Sequence, residues 1–268
     1  MIASLHIKTR LKQQVTVLEN VYCTTPFKVA NITENKKLKE LQLMLMSSSP
    51  GILDGDAYKL KIELGPGSHL NLHTQSYQRL FNMKQSATQN LEIHLAESSS
   101  FCYLPHPSVP HKSSNFTAIN KIYLSAGCRL IFGEILTCGR KLNGEVFSFS
   151  SYHNITEVFI NNKLIIKENL LIQPATINLQ AIGQLEGFTH QASLIFLSEN
   201  CKLKEASALV DNFIAGEKEL VYGITETPVR GLLVRILGQK AEQLHDCLKG
   251  IAAILTSFSN PQTAIYVD

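Results

Sequence analysis

The side chains best suited to chemistry fall into a few short stretches. Asp54 and Asp56 flank Gly55 in Ser49-Pro50-Gly51-Ile52-Leu53-Asp54-Gly55-Asp56. Asp and Gly in this order favour a tight turn, because Gly tolerates positive φ and Asp bonds the local backbone. Glu134 and Glu145 bracket Arg140 between Gly133 and Glu145. A strand, a Gly-containing turn and a returning strand would bring both carboxylates to the guanidinium, as an ion-pair cluster or as the lining of a polar channel. His69 and His73 share a strand face with Asn71 and Gln75, since alternate residues point the same way. They can face one cavity or form a polar outer face. Cys102, His106 and His111 bracket the loop Leu104-Pro105-His106-Pro107-Ser108-Val109-Pro110-His111. Those donors suit a borderline metal such as nickel, although prolines also serve simply to stiffen a loop. No closed set of four ligands can be assembled, so metal contacts are expected to be weak or transient.

No dinucleotide-binding glycine motif, phosphate loop, nucleophile elbow or paired-histidine zinc helix occurs. Charged residues make up 18% of the chain, against roughly 25% in ordinary soluble domains. Such a chain leaves apolar surface exposed, which points to association rather than catalysis. The formal charge is 25 − 22 = +3, too small for an electrostatic nucleic-acid binder. With 44% hydrophobic residues, intrinsic disorder is excluded. The opening residues MIASLHIKTRLKQQ alternate instead of forming a signal-peptide core. No run approaches the ~18 apolar residues of a membrane helix. A cytoplasmic location is expected, with Cys23, Cys102, Cys128, Cys138, Cys201 and Cys247 as reduced thiols. The N-x-S/T triplets at Asn31, Asn115 and Asn154 are then chance matches.

The elements that must position these groups are mostly strands. Period-two alternation covers 58–64, 70–74, 91–95 and 148–152. Strand-like runs recur at 4–10, 14–21, 41–46, 117–125, 128–137, 154–160, 163–172, 191–198, 219–225 and 229–237. An internal repeat is visible. Ile62, Leu64, Leu70 and Leu72 match Ile93, Leu95, Phe101 and Tyr103, and again Ile122, Leu124, Leu130 and Phe132, at offsets of 31 and 29. Each unit is a strand, a turn of small residues and a strand. Ile195, Leu197 and Leu203 form a weaker echo. Repeats of this length stack, each burying an apolar face on its neighbour, unless they are plain sandwich hairpins. Residues 204–215 and 239–258 have helical spacing, the first stopping at Gly216, and 31–40 reads as an exposed loop. The expected fold is one mostly-β domain over 1–268, with stacked, β-helix-like sheets and two α-helices in the C-terminal third.

Several motifs in order carry a family resemblance. They are Thr25-Pro26-Phe27-Lys28-Val29, the Ser49–Asp56 stretch, Thr74-Gln75, the proline loop, and Gly139-Arg140 with Gly144-Glu145-x-Phe147. Across about 20–175 the chain resembles the urease accessory protein UreD family, called UreH in some bacteria. Ile52 stands where the family often has glycine, and His111 where an aromatic is common. The resemblance implies a non-enzymatic chaperone for nickel insertion into apo-urease, with no tightly bound cofactor. It implies binding to UreF, through UreF to UreG, and to the urease subunits, and transient passage of nickel through a water-filled interior.

Such a passage needs water and scattered carboxylates, because a complete cage of soft ligands would trap the ion. Asp56, Glu134, Glu145 and Glu168 are the expected points along it, with Arg140 balancing them when no ion is present. Leu209, Phe213, Leu244, Leu248 and Ile251, on the two helices, are the expected partner contact. The rival readings are a β-helical carbohydrate-acting enzyme using Asp54, Asp56 or Glu134, and a binding module with no metal passage.

Overall fold

The computed structural model describes residues 1–35, 39–199 and 201–259. A seven-stranded sheet contains β1 (Ile2–Lys12), β2 (Val15–Cys23), β5 (Ala57–Leu64), β8 (Ala87–Leu95), β11 (Asn115–Leu124), β13 (Ser151–Ile160) and β14 (Lys163–Ile172), in the order β14-β13-β11-β8-β5-β1-β2. A ten-stranded sheet faces it. Its main path runs β16 (Val221–Glu226), β17 (Gly231–Gly238), β15 (His190–Ser198), β12 (Arg129–Thr137), β9 (Ser100–Tyr103), β6 (His69–Thr74), β4 (Glu40–Ser47) and β3 (Phe27–Asn31). The short strands β7 (Gln78–Leu80) and β10 (Ser108–Pro110) attach beside it.

The repeat becomes three stacked coils. β5, β8 and β11 pair in parallel, and so do β6, β9 and β12. The matched residues meet in register: Ile62 with Ile93 with Ile122, and Leu70 with Phe101 with Leu130. Each turn needs one residue with positive φ at the same place, supplied by Gly67, Ser98 and Gly127. Successive turns are tied by backbone bonds from Gly67 N–H to Glu97 O and from Ser98 N–H to Ala126 O. The weaker echo is not a fourth coil. Ile195 and Leu197 sit on β15, which runs antiparallel to β12, and Leu203 begins a helix.

One apolar core lies between the sheets and a second lies under the helices. Helix α1 (Leu203–Ala215) and helix α2 (Ala241–Ser259) cover the outer face of the larger sheet. The even-numbered residues of β12 (Leu130, Phe132, Leu136) enter the first core, and Ile131 and Ile135 enter the second. The larger sheet is therefore buried on both faces, which is why β12 reads as a continuous apolar run.

Several details depart from the sequence reading. β3, β7 and β10 are too short to show a period. The strand expected at 148–152 starts at Ser151. Of the loop at 31–40, Asn31 and Glu40 are strand ends, and 36–38 lie outside the described residues. All six cysteines are free thiols.

Candidate functional site

Along the smaller sheet, inward side chains form rungs that change character from one end to the other. Leu64, Leu95, Leu124 and Ile160 make one rung, and Ile62, Ile93, Ile122 and Val158 the next. Then Leu60 and Leu91 meet Asn120 and Thr156, and finally Tyr58 and Gln89 meet Ala118 and Asn154. The facing strand β12 follows suit. Its inward series Leu130, Phe132 is broken by Glu134, which pairs with Ser193 of β15. Period two leaves Glu134 no other direction.

The polar end is hollow. A cavity of about 140 Å³ is lined by Tyr58, Gln78, Gln89, Asn120, Glu134 and Tyr152, and reaches Tyr77 and His106 at its mouth. A second space of about 30 Å³ shares Glu134, Ile135 and Tyr152 with it, and adds Asn154, Glu168, Gln191 and Ser193. A third, wider space of about 450 Å³ shares Glu168, Leu170 and Gln191 with the second and includes Arg235. Glu134 thus lines both the first and the second of these spaces, and Glu168 both the second and the third.

Glu134 accepts from Asn120 Nδ2 at 3.0 Å and from Thr156 Oγ1 at 3.3 Å. The same Asn120 nitrogen also lies 3.0 Å from Asn154 Oδ1 and 2.9 Å from Thr156 Oγ1. Burial raises the carboxyl pKa above the usual range, opposed by hydrogen bonds with Asn154, Thr156 and Asn120. No cationic side chain is ion-paired to it among the described residues. Glu168 differs: it is ion-paired to Arg235 of β17.

The other two expected carboxylates are elsewhere. Asp56 is buried and saturated, by the Met1 amine at 2.8 Å, Leu53 N–H at 2.8 Å and Tyr58 Oη at 3.3 Å. Glu145 accepts from Arg140 Nε at 2.9 Å and from Lys112 N–H at 3.1 Å. The Arg140 hydrogen bond is the main reason its pKa falls to about 2. Neither residue lines any of the three spaces. Glu134 is also not part of an Arg140 cluster. After β12 the chain makes a 3-10 turn at Lys141–Asn143 in place of a returning strand, so Glu145 comes back to Arg140 on the surface. Asp54 accepts from Lys84 and Gln85 N–H at 3.1 and 3.0 Å, so the Asp54–Asp56 stretch is a braced turn rather than an acid–base pair.

The proline loop opens the larger sheet. β9 ends at Tyr103, while β6 runs on to Thr74 and β12 to Thr137. Pro105 and Pro107 have no N–H to continue the ladder, and pairing to β12 resumes only at Ser108. His106 occupies the slot. Its ring lies 4.6 Å from that of His245 on α2, and its Nδ1 is 2.9 Å from Thr74 Oγ1. Tyr77 Oη donates to Glu242 Oε1 at 2.7 Å and pins the mouth to the same helix. His111 packs instead on Phe81. Cys102 packs against the helix–sheet core, and burial pushes its thiol up to about 12. Among the described residues no three His, Cys, Asp or Glu side chains are grouped to hold a metal ion.

The helical residues expected to meet a partner are mostly spent internally. Leu244, Leu248 and Ile251 are fully buried in the second core, and Phe213 packs against it. An apolar helix stripe has to be covered, and the chain's own sheet covers this one. Only Leu209, 45% exposed, remains on the surface. No helix among the described residues is long and apolar enough to cross a membrane.

Asn120 and His245 were not singled out from sequence. Asn120 had a signal: it interrupts the inward series of an otherwise apolar strand. His245 had none, because its relation to His106 arises from tertiary packing.

The model of the UreD urease accessory protein family matches residues 1–265. The urease accessory protein UreD of Flavobacterium johnsoniae is 44% identical over 254 residues, 94% of this chain and 91% of that protein. The proteins of the same name from Acetivibrio thermocellus and Haemophilus influenzae are each 34% identical, over 94% and 95% of this chain and 96% and 99% of their own lengths.

Proposed function

The chain belongs to the UreD urease accessory protein family, and from that premise we propose that it passes nickel towards apo-urease through a corridor joining Glu134 and Glu168. One observation carries this reading: Glu134 lines the first and second spaces, and Glu168 the second and third. The chemistry suits transit. Each junction offers one hard oxygen ligand among amide, hydroxyl and phenol groups, so a partly hydrated divalent ion is stabilised but not caged. Glu134 has no ion-paired cation among the described residues, so an arriving ion would supply the missing charge. Glu168 would exchange Arg235 for the ion.

On this reading the protein is a scaffold and not a catalyst. It works in the cytoplasm as one domain, with UreF, with UreG held through UreF, and with the urease subunits. It recruits no membrane or nucleic acid, and nickel is its cargo rather than a resident cofactor. The surface of α1 around Leu209 is the part of the expected helical contact still available to UreF. The test is the nickel content of urease matured with Glu134→Gln in place of the wild type, with complex assembly followed by co-purification. Loss of nickel with assembly intact supports the corridor, and full loading removes it.

A further inference from the structure

The slot at the proline loop has a feature that a passive opening does not require. Two imidazoles meet there, each held through one ring nitrogen. His245 Nε2 lies 3.4 Å from the Leu104 carbonyl. A carbonyl only accepts, so this nitrogen carries the hydrogen and the lone pair is left on Nδ1. His106 Nδ1 faces Thr74 Oγ1 at 2.9 Å, and a ring that gives its Nδ1 hydrogen to that oxygen presents its Nε2 lone pair. Histidines that bind metals are oriented in this way, through a hydrogen bond from the other nitrogen to an oxygen. A third imidazole is near enough to feel the charge of His106. His73, one residue before Thr74, has an Nε2 that is closed off from solvent and has no hydrogen-bond partner. Burial, and then the charge of Lys249, lowers the pKa of all three rings. His106 also lines the corridor's first cavity.

We infer that His106 and His245, with His73 beside them, form a two-imidazole seat that receives a borderline divalent cation at the corridor mouth. The inference rests on the nickel reading only for the identity of the ion. Two protein nitrogens leave most positions of an octahedral ion to water. Such a seat selects nickel over magnesium or calcium by ligand type, yet releases it readily. It would complement the corridor, where the ligands are oxygens.

The test uses the full chain and nickel ion alone. Nickel affinity is measured by equilibrium dialysis, and paramagnetic broadening of histidine ring signals is followed by nuclear magnetic resonance. His106→Asn and His245→Asn are each expected to weaken nickel binding by about tenfold or more. Broadening should fall first on His73, His106 and His245, and should spare His153, which is exposed and bonded to Asn169. His106 lies in a loop, so its variant keeps the test sound should the buried His245 variant lose its fold. Unchanged nickel affinity in His106→Asn, or equal broadening of His153, overturns the inference. The result is separable from the corridor: Glu134→Gln leaves nickel binding at this seat intact, whether or not urease is loaded.

Discussion

The two ends of the space between the sheets are built from the same strands and behave as different materials. At one end Ile62, Ile93, Ile122 and Val158 stack in register over Leu70, Phe101 and Leu130. At the other, two or four residues along the same strands, Asn120, Thr156 and Asn154 surround Glu134. The backbone ladder is continuous through both. A stacked-coil fold thus secures itself with its apolar rungs and can leave the remaining rungs free to hold water and charge. The polar end is tolerable because its groups are hydrogen-bonded to one another, with Glu134 held by Asn120 and Thr156.

The contrast is most easily broken at the apolar end. Ile93 is fully buried in the middle coil, and Ile93→Ala is expected to cost about 2–5 kcal/mol of unfolding free energy, read from denaturant midpoints. A smaller loss would mean that the coils do not share one core.

A second test lies in acid. Glu134 has a raised pKa in the fold, so the unfolded chain ionises first as pH rises. Its contribution is complete below the ordinary carboxylate range and is lost as pH climbs through the raised value. The stability of the wild type relative to Glu134→Gln should therefore increase as pH is lowered from 7 towards 4.5, the ordinary value. A flat difference in paired thermal melts would mean that the carboxyl is not desolvated.

Glu145 should show the opposite sign and a smaller effect, because its partner Arg140 is exposed. Its pKa is lowered to about 2, so its contribution is present above the ordinary range and fades as pH falls towards 2. Glu145→Gln should lose stability relative to the wild type at neutral pH and converge with it in acid.

Least change in stability is expected from Leu209→Ser, within about 0.5 kcal/mol, as for other surface positions. Reduced co-purification with UreF would place the partner on α1, and unchanged co-purification would remove that contact.

What could be read from sequence follows the same division. The repeat was legible through Ile62, Ile93 and Ile122 because identical apolar residues recur where coils must stack. The polar rungs were not, since Tyr58, Gln89 and Ala118 share no residue type, and neither do Leu60, Leu91 and Asn120 taken together, so they break the repeat that locates them. Glu134 and Glu168 were marked as path residues, and both line the second of the three spaces. Asp56 and Glu145 were marked with equal reason, and a tight turn and a surface ion pair absorb them. Residue type alone does not distinguish a carboxylate aimed inward from one used locally. The helices illustrate a related ambiguity: Leu244, Leu248 and Ile251 form an apolar stripe whether the covering surface belongs to a partner or to the chain itself. His106 was noticed, but its companion lies 139 positions away in the chain, at His245.

The most direct measurement is the nickel content of urease assembled with Glu134→Gln, with co-purification of the accessory complex checked in the same preparation. The account predicts an intact complex and urease depleted of nickel by about tenfold, the scale on which metal sites respond to loss of an important group. Urease loaded to the wild-type level by that variant would contradict it.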